Sequence, residues 1–195
     1  MSRTTIPAQL LLLLVLAVVV HGDSGAVKTT TTTRSALETV CGSLGGYYVT
    51  PTLCLAALCS DASDPCHAAA VHDAHAVAAL AARLAARNAT AAQGSIIQSS
   101  SAAGADNNNA TTWASCLELY GGAVPALRWT AASVAARRYR GAREVIQATQ
   151  YAAPACEGVM EGTAAAAVPP ENGQFSDMAF VAHAVVAYMA AATTN

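Results

Sequence analysis

Between residues 65 and 192, apolar side chains recur at every third or fourth position, the period of an amphipathic helix. The first long segment is expected over about 65–88, with Asp64 as N-cap and Pro65 in the first turn. Val77, Leu80 and Leu84 share one side with Asp73 and Arg87, and Ala74, Ala78, Ala81 and Ala85 form a narrow strip beside them. The pattern continues through Ile96 and Ile97 to about Ala103, with a kink or short break at Gly94. A polar loop over 105–109 leads to the most regular segment, about 111–138. Its seam is Trp113, Leu117, Tyr120, Val124, Leu127, Ala131 and Val134, and Pro125 predicts a bend near Gly121 and Gly122. Gly141 marks a turn. A third helix over about 142–162 turns Val145, Ile146, Thr149, Ala153 and Cys156 inward and bends at Pro154. A loop over 163–173 holds Pro169 and Pro170. The last helix, about 174–192, has Phe175, Met178, Ala182, Val185 and Met189 on one seam.

Ahead of these lie two shorter apolar pieces. Leu37 and Val40 mark a helix over 35–41, Gly45 and Gly46 end it, and Thr50-Pro51 restarts the chain toward Leu53, Leu55 and Leu58. That order reads as an αα-hairpin. No segment shows the period-two alternation of a strand. The expected class is therefore all-α, an up-down-up-down four-helix bundle with an N-terminal helical hairpin extension, stapled by disulfides.

Residues 1–22 read as a signal peptide: Arg3 supplies the positive charge, and the eleven residues from Leu10 to Val20 are unbroken apolar. A bilayer span needs about 20. Residues 23–34 form a polar, Thr-rich leader expected to be flexible, and 35–192 are the folded domain. The destination is then oxidising, so the six cysteines Cys41, Cys54, Cys59, Cys66, Cys116 and Cys156 are staples, open to fifteen pairings. Asn88-Ala89-Thr90 and Asn109-Ala110-Thr111 are sequons, making Asn88 and Asn109 candidate glycosylation sites.

Composition changes the picture in one respect. Hydrophobic residues make up 54% of the chain but aromatics only 5%, and alanine is the largest apolar contributor. Alanine favours helix and close helix approach but buries little area, so covalent staples matter more than usual. The formal charge of −2 disfavours nucleic acid and anionic membranes as partners.

No catalytic constellation stands out. There is no nucleophile elbow and no phosphate loop. His67, His72 and His75 cluster near Asp73 without an evident fourth ligand, and His183 sits alone in the last helix. No metal and no cofactor are expected. One charged feature remains: Arg137, Arg138, Tyr139, Arg140 and Arg143, which hold four of the nine basic residues left after signal removal.

The ordered set of features resembles the plant invertase and pectin methylesterase inhibitors. The resemblance runs over about 35–192. It rests on Cys41 with Cys54, Ala-Val-Ala-Ala-Leu-Ala at 76–81, and Cys116-Leu-Glu-Leu-Tyr120 followed by Ala123 and Leu127. Ala155-Cys156-Glu157, then Val168 to Asn172 before the final apolar helix, complete it. The resemblance implies bridges Cys41–Cys54 within the hairpin and Cys116–Cys156 between bundle helices. Cys59 and Cys66 depart from the four-cysteine pattern and, flanking a short turn, are expected to pair with each other. It also implies a protein partner, pectin methylesterase or acid invertase, bound by a monomer in a 1:1 complex at the cell wall. In the invertase inhibitors a Pro-Lys-Phe motif stands where this chain has Tyr139-Arg140-Gly141; Arg140 keeps the cation, but the proline and phenylalanine are missing. That favours pectin methylesterase, whose inhibitors use polar residues of the second and third bundle helices. Arg128, Glu144 and Gln147 are candidates there.

Overall fold

The computed structural model describes residues 35–59, 71–102, 107–161 and 167–193. The expected signal peptide and leader lie outside these residues, as do Cys66, His67 and the side chain of Asn109.

Helix α1 (Ala36–Gly42) starts at a capping box. The Ser35 hydroxyl accepts from Glu38 N–H at 3.2 Å, and Ser35 N–H donates to Glu38 Oε2 at 2.9 Å. A 3₁₀ turn (Leu44–Tyr47) takes up the Gly45-Gly46 pair. Helix α2 (Pro51–Leu58) begins with Pro51 in its first turn and Thr50 as its cap. Cys41 is bonded to Cys54, closing the hairpin as expected. Cys59 is also in a disulfide.

Four long helical limbs follow: α3 (Ala74–Ala102), α4 (Asn107–Ala135), a limb split into α5 (Tyr139–Thr149) and α6 (Ala152–Met160), and α7 (Pro170–Ala192). Helix α3 packs on α4 and α7, and the α5–α6 limb packs on α4 and α7, which closes a four-membered ring of helices. The hairpin lies against α3 and α7. Among the described residues there is no strand. The all-α bundle with an appended hairpin is therefore the fold.

The seams explain the core. Val77, Leu80, Leu84, Ala78, Ala81, Ala85, Ala89 and Ala92 of α3 are buried, so the alanine strip brings neighbouring helices close. Trp113, Tyr120 and Phe175 supply the large buried volume. The Tyr120 and Phe175 rings lie 5.5 Å apart at a 59° tilt, an arrangement worth about 1 kcal/mol beyond burial. Cys116–Cys156 bolts α4 to α6. Helix α7 is long and apolar enough to cross a membrane, but most of it is buried against the other helices, as a bundle's central helix should be.

Several boundaries differ from the sequence reading. Residues 71–73 are not helical, so no helix runs unbroken from Pro65; Asp73 Oδ1 accepts the Ala76 N–H at 2.7 Å and caps α3 instead. Helix α3 continues through Gly94, because neighbouring alanines and Ile96 hold it in the core. Helix α4 starts at Asn107, four residues early, so Asn109 lies in its first turn, not in a loop. The third limb breaks at Gln150 and Tyr151, not just before Cys156. Pro154 explains this: its ring clashes with the carbonyl four residues earlier, at Gln150. Helix α7 begins at Pro170, so Asn172 and Gly173 are helical. Gly141 lies inside α5, and the turn falls earlier, at Ala136 to Arg138.

Candidate docking surface

Helix α4 ends in a Schellman turn. Arg138 N–H donates to Ser133 O at 2.9 Å and Arg137 N–H to Val134 O at 2.8 Å. Arg137 itself takes the left-handed conformation, φ 59°, where glycine is the usual occupant. The turn reverses the chain into α5 and carries the arginine cluster on an exposed corner of the bundle.

The cluster divides in two. Arg137, Arg138, Arg140 and Arg143 are exposed. Tyr139 is 3% exposed and points inward. Its hydroxyl lies 2.7 Å from His75 Nδ1, with the two rings edge to face at 75°. Burial pushes its hydroxyl pKa up, and the nearby Arg137 charge partly offsets that. Tyr139 thus anchors the turn to the start of α3, and its ring is not on the outer surface with the arginines.

Around this anchor the charges are paired unevenly. Asp73, whose carboxyl is held below its ordinary value mainly by the Ala76 N–H, also feels His72, His75 and Arg137. Arg143 Nε lies 4.0 Å from Glu144 Oε1. Arg138 and Arg140 have no ion pair among the described residues. His183 of α7 is half-buried beside Arg143 and Glu144; burial first, then Arg143, push its pKa down.

Arg128 and Glu144 are exposed and Gln147 is half-buried, so the first two are available for contact. His72 is exposed 3.8 Å from Asp73, and His75 is committed to Tyr139. Among the described residues no three His, Cys, Asp or Glu side chains converge as a metal site. Asn88 is half-buried on α3.

One surface residue escaped the sequence reading. Trp129 of α4 is 51% exposed and lies over α5, where a Cβ at Gly141 would sit 3.5 Å from its Cη2. The available signal was its position: it falls between Leu127 and Thr130, off the buried seam of α4.

Comparison with known proteins agrees with this geometry. Residues 35–186 match the family model for plant invertase/pectin methylesterase inhibitor. The fold is similar to the crystal structure of mutant form A of a pectin methylesterase inhibitor from Arabidopsis, with a TM-score of 0.61 and 18% sequence identity. The similarity covers 79% of this chain and 97% of that one. No curated protein matches the sequence. The family match spans both short helices, both described disulfide bridges and most of α7. The chain therefore belongs to the plant invertase/pectin methylesterase inhibitor family, whose members are inhibitors and not enzymes.

Proposed function

We propose that the chain is a secreted inhibitor of pectin methylesterase that acts by occluding the active-site cleft, one inhibitor per enzyme, without chemistry of its own. The observation that carries the choice of target is the state of Tyr139-Arg140-Gly141. Tyr139 is buried and Gly141 has no side chain, so Arg140 stands without the flanking proline and phenylalanine of the invertase inhibitors. The similar fold from Arabidopsis is itself named a pectin methylesterase inhibitor.

Arg137, Arg138, Arg140 and Arg143 form the cationic edge of the docking surface. Clefts that act on these sugar polymers carry carboxylates, and a rigid guanidinium corner pairs with them in a forked geometry. The Schellman turn and the Tyr139 contact with His75 hold that corner in place before binding, which lowers the ordering cost of association. Secretion through the 1–22 signal, oxidation of Cys59 with Cys66, and glycans at Asn88 and Asn109 complete the reading.

The test is inhibition of a pectin methylesterase and an acid invertase, side by side, by the oxidised protein. Loss of methylesterase activity alone supports the proposal. Invertase inhibition that Arg140→Ala abolishes would assign the chain to the other target.

A further inference from the structure

Between residues 119 and 156 the chain carries five arginines, Arg128, Arg137, Arg138, Arg140 and Arg143, and a single acid, Glu144, although the whole chain has a formal charge of −2. The same span holds the one exposed tryptophan, Trp129. Trp113, the other tryptophan, is buried. Trp129 lies over the Gly141 backbone at the start of α5, so no side chain from that position rises beside the indole. Arg128 adjoins it on α4, and Arg140 adjoins Gly141 on α5. Arg128, Arg138 and Arg140 are exposed and have no ion pair among the described residues.

We propose that Trp129 and the arginines around it bind an acidic polysaccharide of the uronate class. A uronate ring carries a flat C–H face and a carboxylate on the same sugar. The open indole suits the first, and a flanking guanidinium suits the second. A polymer repeats that pair, so the cations on both helices can be engaged by one chain. The cations compete with salt, and the stacking contact does not. This activity belongs to the free inhibitor and does not rest on the enzyme-docking reading. It would hold the protein on charged polymer wherever carboxylates have been exposed.

The probe is a decamer of galacturonate, with the fully methyl-esterified decamer as the uncharged control, titrated calorimetrically at low salt. The acidic decamer should bind, and the esterified one should bind at least about tenfold more weakly. Trp129→Ala, and separately Arg138→Gln with Arg140→Gln, should each weaken binding about tenfold, with far-UV circular dichroism unchanged. Arg83→Gln, on α3, should have no effect. Equal binding of both decamers would overturn the proposal, as would wild-type affinity in both the tryptophan and arginine variants. So would absence of acidic-decamer binding while the arginine variant loses enzyme inhibition, which assigns the corner to protein contact alone. A chain that inhibits neither enzyme but binds the acidic decamer leaves the site standing and removes only the inhibitor reading.

Discussion

The Tyr120 hydroxyl donates to Asn172 Oδ1 at 2.6 Å, with both residues buried. Asn172 Nδ2 in turn donates to Glu157 Oε1 at 2.8 Å and to Ala153 O at 3.3 Å. One amide thus ties α4, α6 and α7 together near the Cys116–Cys156 bridge. Burial, and then the Glu157 charge, push the Tyr120 pKa well up, so the phenol stays a donor. Asn172→Ala leaves the Tyr120 hydroxyl without its partner and should cost about 2–3 kcal/mol. Tyr120→Phe removes the donor instead and should cost less, about 1–2 kcal/mol. Urea unfolding of both variants checks the order.

The two described disulfides should contribute unequally. Cys116–Cys156 spans 40 positions and Cys41–Cys54 spans 13. In the chain-entropy account, replacing the first pair by serine should cost about 4 kcal/mol and the second about 3 kcal/mol. A larger loss for the hairpin pair would show that the hairpin's packing on α3 and α7 depends on its bridge. Peptide mapping by mass spectrometry should also find Cys59 joined to Cys66.

Arg137 should reveal the cost of its left-handed backbone. Glycine adopts that conformation freely and alanine does not. Both substitutions remove the Arg137 charge beside Tyr139 alike. The Gly variant should therefore be about 1 kcal/mol more stable than the Ala variant. Equal denaturation midpoints would show that the turn relaxes.

The seams were legible because burial along a helix is written in its period. Phe175, Met178, Ala182, Val185 and Met189 are all buried, as their spacing requires. Boundaries were harder where two signals competed. Asp64-Pro65 and Asp73 are both good starts, and Asp73 caps the helix. Pro154 acts four residues upstream of itself, so the break lies at Gln150, not beside Cys156. At the candidate site, the arginines were visible as charge. The inward set of Tyr139 was not, because it depends on the left-handed turn at Arg137, which resets the phase of α5.

His183 gives the bundle a pH dependence. Its folded pKa is pushed below the ordinary imidazole value, so the folded state binds fewer protons than the unfolded chain. Its contribution is full above about pH 6.5 and falls as the pH drops below that toward the folded value. Arg143 opposes its protonation and Glu144 partly offsets that. His183→Leu should flatten this part of the stability profile, measured by thermal unfolding between about pH 7 and pH 5. An unchanged slope would locate the acid sensitivity elsewhere.

The most direct test of inhibition by occlusion is a titration of pectin methylesterase at an enzyme concentration above the dissociation constant. Activity should fall linearly and reach its floor at one inhibitor per enzyme, with no turnover of the inhibitor. Full methylesterase activity at several equivalents of the oxidised, folded protein would contradict it.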